Sequence, residues 1–373
     1  MTDRQTAPET VEESRLTVAL LAVAAVGWTA AMLWSARATI TGRADAAMEV
    51  TSTAYALPGA VSADLVAGAA VALLTLTLIS GRRQLGSTAR FAVATGSGLV
   101  VGLLSALPII TINTAGTIYA VVGGTVAAAA TIGGALAGLR IPRVVAAIAS
   151  AAIGVFLIGF VLNLFQEPLL SAFGAGDTES SADAAQWFTY SQAALGGLVA
   201  GIVSYLMLRR ARRGAGDAHD GASAPADGAP DRATDVRWPM YALAGAGPGL
   251  LLVIAEVLSR TAGSRVLELA GKVSDLELAV QQMLSSARLN NGLIVVFAGA
   301  FTAIVAVGRT LSPARDEDDA PAGESPAPAP SASKDPSVSK DPSASKDPSA
   351  SKDEEDEPQS SSSSSETAYH SNS

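Results

Sequence analysis

An all-α, polytopic bundle of about eight transmembrane helices, with one external amphipathic helix and a disordered C-terminal tail, is the fold class this sequence predicts. Three observations predict it. Eight segments of the 373-residue chain approach or exceed the roughly 20 mostly apolar residues that a helix needs to cross a bilayer. Only 16% of the residues are charged, although 49% are hydrophobic, where a soluble domain carries about a quarter charged. Alternation at period two is missing, and lipid leaves helices or closed barrels as the only spanning structures.

Residues 1–14 form a short polar N-terminal tail. The first apolar run, 16–36, is too long for a signal-peptide core, and Glu9, Glu12 and Glu13 spoil the basic segment that a signal would carry before it. Five further spans follow, at 62–80, 91–113, 117–138, 144–165 and 189–208, so that 15–208 reads as a six-span region. The loop 37–60 has room for a short helix ending near Pro58. A Gly/Ala/Asp/Pro-rich stretch, 209–237, reads as a disordered linker. Spans at 239–258 and 292–309 form a second region, 238–311.

Between those two spans, Val266, Leu269, Val273, Leu276, Val280, Met283 and Ala287 recur at alternating intervals of three and four. This predicts an amphipathic helix over 264–288, with Glu268 and Lys272 paired on its polar side. Such a helix lies on the membrane, caps the bundle, or forms a short coiled coil with a protein partner. Residues 312–373 carry the hexapeptide repeat 331-SASKDP, 337-SVSKDP, 343-SASKDP, 349-SASKDE, then an acidic cluster and a serine run. This composition supports no core; it predicts a disordered cytoplasmic tail that solvates the protein or binds a partner. The tail holds 14 of the 34 acidic and 5 of the 25 basic residues, leaving 20 of each elsewhere. The net charge of −9 therefore belongs to the tail, and nothing in the charge balance points to nucleic acid.

Orientation follows from counting arginine and lysine. With the N-terminus inside, the inner segments hold 15 basic residues and the outer ones 6, before the four tail lysines. The positive-inside rule then puts both termini in the cytoplasm of a multi-pass plasma-membrane protein. Trp34, Trp187 and Trp238 fall at span ends, where amphipathic rings prefer the interface.

Glycine pairs four apart, Gly98/Gly102, Gly134/Gly138, Gly197/Gly201 and Gly245/Gly249, predict close helix packing within the chain or, alternatively, between copies. A likeness among 66-VAGAAVALL, 133-GGALAGLR and 196-GGLVAGIV suggests a tandem hairpin repeat, which equally follows from an Ala/Gly-rich composition.

Several function classes are excluded. Cysteine is absent, which removes thiolate chemistry and Cys-ligated metals, and the two histidines, His219 and His370, lie in polar stretches outside the spans. No Walker A, H-E-x-x-H or G-x-S-x-G pattern occurs. We therefore expect no enzyme activity, no cofactor and no metal site. The residues that invite a substrate or ion are Gly247 and Pro248, which interrupt span seven near its middle, and Glu256, about two turns further on. A kinked or broken span is a recurrent binding device in transporters, and an intramembrane carboxylate suggests function. The bland alternatives are a packing kink and an i,i+4 ion pair between Glu256 and Arg260. Asp64, at the outer end of span two, with Asn113, Asn163 and Gln192, is expected to line the same outer vestibule. Pro108 marks a second kink. The sequence thus reads as a membrane transporter or permease subunit without an ATPase, with its site in the outer half. A non-catalytic membrane scaffold or envelope-assembly partner, engaged through 264–288 or the tail, is the rival reading.

Overall fold

The computed structural model describes residues 7–41, 46–80, 85–112, 117–174, 178–220, 238–270 and 275–310. The predicted tail beyond 312, with its repeat, lies outside them. The helices belong to one compact unit, Met1–Ala314. All the secondary structure among the described residues is helical. In chain order the helices are α1 Ala7–Thr41, α2 Ala46–Ser80, α3 Ser87–Ile110, α4 Thr117–Ala137, α5 Pro142–Leu164, α6 Gln166–Ala172, α7 Thr178–Asp220, α8 Trp238–Ala270 and α9 Asp275–Gly308. All but α6 are long and apolar enough to cross a membrane, and the eight-span bundle that hydropathy predicts is the fold observed. The short α6 ends on Phe173 and Gly174, and Gly174 has φ 88°, the left-handed conformation that terminates a helix without Cβ strain.

The helices outrun their apolar windows. Internal hydrogen bonds satisfy a helical backbone equally well in lipid and at the interface, so leaving the hydrocarbon need not end a helix. Three boundaries change as a result. The expected loop 37–60 is mostly the end of α1 and the beginning of α2, with Pro58 inside α2. The linker begins helical, because α7 continues to Asp220; residues 221–237 lie outside the described ones. The helix expected over 264–288 is divided: residues to Ala270 prolong α8 and those from Asp275 begin α9. The side chains of 267–278, including the proposed Glu268–Lys272 pair, fall outside the described residues. Of the predicted stripe, Val266 is buried, whereas Val280, Met283 and Ala287 are exposed.

The packing follows membrane rules. Large apolar side chains point outward, among them Leu99, Leu103 and Leu107 on α3 and Phe297 and Phe301 on α9. Alanines and glycines fill the interior. Lipid removes the hydrophobic drive for helices to associate, so close contact through small residues takes its place. A Cβ at Gly98 would meet the backbone of Gly134, one at Gly201 that of Gly299, and one at Gly249 that of Gly292. The four-residue glycine spacings on these helices are spent within the chain.

The pattern of neighbours repeats. In α1–α4, α2 packs on α1, α3 and α4, and α3 packs on α4. In the second half α7 packs on α5, α8 and α9, and α8 packs on α9. Gly98 on Gly134 (α3 on α4) has its counterpart in Gly245 on Gly299 (α8 on α9). The matching set of neighbours extends over four spans, twice the length of the hairpin likeness read in the sequence. Each half begins at the same end of the bundle, and the halves meet chiefly where α8 packs on α2 and α4.

That shared end carries Arg15, Arg90, Arg140, Arg143, Arg209 and Arg309, and is called the basic end below. There Arg209 lies 5.7 Å over the Tyr205 ring, and Tyr205 contacts Tyr241. At the opposite, distal end, Arg37 donates to the Pro108 carbonyl and the Thr111 hydroxyl. This satisfies a carbonyl left free in the last turn of α3. Pro108 therefore sits in a capped helix end.

Candidate functional site

The polar residues that matter lie in the distal half. The α8–α9 hairpin sets the first of them. Gly249 and Gly292 let the two backbones approach closely, and one turn or more further toward the distal end the pair of helices presents Glu256 and Arg288 to each other. Arg288 Nε donates to Glu256 Oε2 at 2.7 Å and Nη2 to Oε1 at 3.4 Å. The partner of Glu256 is thus Arg288, 32 positions away, and the local Arg260 pairing is not formed; Arg260 is exposed. Helix direction explains this. A residue four positions on points further toward the interface, whereas the antiparallel neighbour returns to the same depth.

Glu256 is 5% exposed and Arg288 34%. Both line an open cavity of about 390 Å3 bordered by α1, α2, α5, α7, α8 and α9. Its polar wall adds Asn163, Thr189, Gln192, Asn291 and Ser62. Gln192 Nε2 donates to the Gly159 carbonyl at 3.2 Å, tying α7 to α5. Asn291 Oδ1 is buried and has no hydrogen-bond partner. Part of the lining is aromatic. Trp28 stacks on Phe156 at 5.7 Å and 5°, and meets Phe160 edge-on at 6.2 Å. The cavity therefore offers a fork of opposite charges, neutral amide and hydroxyl groups, and a flat apolar face.

The residues singled out from the sequence separate into three groups. Glu256, Asn163 and Gln192 do share one cavity. Gly247 and Pro248 do not reach it. Pro248 is fully buried, a Cβ at Gly247 would overlap Ile148, and α8 runs unbroken through both. The Gly-Pro-Gly run serves close packing against α5 and α9. Asp64 lies inside span two, which runs from Tyr55 to Ser80, and is absent from the cavity lining. Asn113 lies outside the described residues.

No protein-family model, no curated protein and no solved structure matches this chain. The chemistry of the site has to be read from its own residues. Among the described residues, no group of three or more His, Asp and Glu is placed to hold a metal.

Sequence reasoning missed Arg288, Asn291, Trp28, Ser62 and Thr189. Arg288 carries the clearest retrospective signal. Extending span eight backward as a helix brings it level with Glu256 in a hairpin, and a lone Glu and a lone Arg at one depth invite pairing. Trp28 gives no such signal, since an aromatic residue in an apolar run is ordinarily lipid-facing or core.

Proposed function

We propose that this integral membrane protein is a transport protein or permease subunit that works without an ATPase of its own, and that the cavity at Glu256 and Arg288 is its binding site. One observation carries the reading: a charged pair, with the polar side chains of Asn163 and Gln192 on the same cavity, faces an open volume deep in an apolar bundle. Charged groups at this depth are costly and mark substrate pathways by default. The volume lies within the roughly 300–1,000 Å3 range of small-molecule sites. The fork suits a small molecule with an ionised head, and the Trp28–Phe156–Phe160 face suits its apolar body. Two four-span halves with matching neighbours fit the repeat construction common in transporters. The positive-inside rule places the basic end in the cytoplasm, so the cavity faces outward across the plasma membrane. No catalytic role is proposed for any of these side chains.

The test is a thermal-shift screen of the purified full-length protein with amino acids, short amines and short carboxylates, followed by uptake into proteoliposomes. At least one class raises the melting temperature of the wild type and not of Glu256→Gln. Absence of any shift or flux across all three classes would refute the reading.

The exposed stripe of Val280, Met283 and Ala287 favours a second reading, a scaffold that binds a partner at the distal end. A photo-crosslinker at Met283 that captures one specific membrane protein in intact cells would support it over transport.

A further inference from the structure

The described residues include a second intramembrane carboxylate, and the cavity does not use it. Asp64 is 0% exposed, and neither of its oxygens has a hydrogen-bond partner. It lies about 5 Å from the middle of its span, and Glu256 about 6 Å from the middle of its own, toward the same end, at a rise of about 1.5 Å per residue. The two carboxylates share a depth but not an environment. Glu256 has a guanidinium, whereas Asp64 has the hydroxyl of Ser105 on α3 beside it, outside hydrogen-bond geometry.

A bare carboxylate so placed is very costly, and a positive charge must accompany it. The structure supplies a route for one. A separate cavity of about 350 Å3 lies between α1 and α3, lined by Arg37 and Trp34 toward the distal end and by Thr29, Ser105 and Ala67 deeper in. Ala67 is one turn from Asp64 along α2. Thr29 Oγ1 is also buried without a partner. Two hydroxyls and a carboxylate fall short of the six or so oxygens that a hard metal cation collects. Arg37, fixed on the Pro108 carbonyl, puts a positive charge at the mouth that opposes a metal ion.

We propose that Asp64 is an exchangeable proton site: its carboxylate takes up one proton through the α1–α3 cavity from the distal aqueous side and returns it by the same route. The other ionisable groups among the described residues of the surrounding helices are accounted for. On α1 they are Arg15, at the basic end, and Arg37, held by α3. Arg90 of α3 and Arg143 of α5 stand at the basic end. α4 contributes the buried phenol of Tyr119. On α8, Glu256 is closed by Arg288, and Arg260 and Arg265 lie further toward the distal end. Among the described residues, none neutralises Asp64. The proposal stands apart from the ligand cavity, and a proton site at this depth is what ion-coupled transport would require.

The experiment uses the full-length protein in liposomes and dicyclohexylcarbodiimide, an apolar reagent that adds to a protonated carboxyl and remains attached as an N-acylurea. Mass spectrometry of the peptide containing Asp64 is followed against pH. Modification is expected at acid pH, falling about tenfold per pH unit once most sites have lost their proton. Asp64→Asn takes no reagent there, and Glu256 is unmodified throughout. The high-frequency infrared band of a neutral carboxyl without hydrogen bonds, gained by the wild type on acidification above the band of its hydrated carboxyls, is missing in Asp64→Asn. Modification that is absent or independent of pH would overturn the proposal, as would an unchanged band in Asp64→Asn. Suppression by sodium at fixed pH would also overturn it and assign a metal ion instead. Glu256→Gln abolishes ligand binding at the other cavity and leaves this titration intact, so the two proposals fail separately.

Discussion

Removing Arg288 tests the central ion pair, and the structure sets both the size and the asymmetry of the effect. Breaking a buried pair by deleting one partner costs about 3–5 kcal/mol, because a charge is left without compensation. Glu256 is 5% exposed, so Arg288→Met strands its carboxylate almost completely. Arg288 opens onto the cavity and is 34% exposed, so after Glu256→Gln its guanidinium can turn toward water. We expect about 3 kcal/mol for Arg288→Met, at the low end of the range because the cavity screens the site, and about 1 kcal/mol for Glu256→Gln. The double variant has no stranded charge and should lose only about 1 kcal/mol. The assay is reversible unfolding of the full-length protein in mixed micelles, with all four members of the cycle. Equal costs for the two single variants, or a double variant that loses their sum, would refute the reasoning. The first outcome would mean that burial does not distinguish the partners, and the second that they do not interact.

Four further outcomes follow from the packing. Gly133→Ala on α4 puts a methyl against the Leu65 carbonyl of α2, whereas Gly124→Ala on the same helix meets nothing within 4 Å. The first should destabilise by about 1–3 kcal/mol and the second by less than about 0.5 kcal/mol, measured in the same micelles. Ser204 Oγ donates to the Ala244 carbonyl at 2.9 Å between α7 and α8; Ser204→Ala should cost about 0.6 kcal/mol, and a loss above about 2 kcal/mol would show that the bond does more than bridge two membrane helices. Trp28→Leu should abolish binding of aromatic or bulky apolar ligands while sparing the smallest ligands, read as Kd ratios. The chain has no cysteine, so single cysteines report sidedness directly. Ser264→Cys at the distal end should react with an impermeant maleimide in intact cells, and Ser87→Cys at the basic end only after permeabilisation.

The local part of the structure was legible because hydropathy acts residue by residue. A run of about 20 apolar residues crosses the bilayer whatever its neighbours do. Glycines four apart fall on one helix face in any fold, so tight packing could be expected at Gly98/Gly102 and Gly245/Gly249 before their partners were known. The helix ends were less legible, because a hydropathy window marks where the hydrocarbon stops and the hydrogen-bond ladder of α2 or α9 continues beyond it. That difference moved Asp64 from a span end to the interior and brought Arg288 into a span.

Of the site, the sequence by itself determined that Glu256 stood in an apolar setting and that Asn163 and Gln192 belonged to the same half of the bundle. Those properties depend only on position along a span. Tertiary structure alone decided that Glu256 meets Arg288 and not Arg260, that Gly247 and Pro248 pack on Ile148 instead of lining a cavity, and that Asp64 faces away from the ligand site on another flank of α2. Each depends on the rotation of one helix relative to another. Rotation is set by where glycines let backbones touch across the whole bundle, and no local stretch of sequence encodes it.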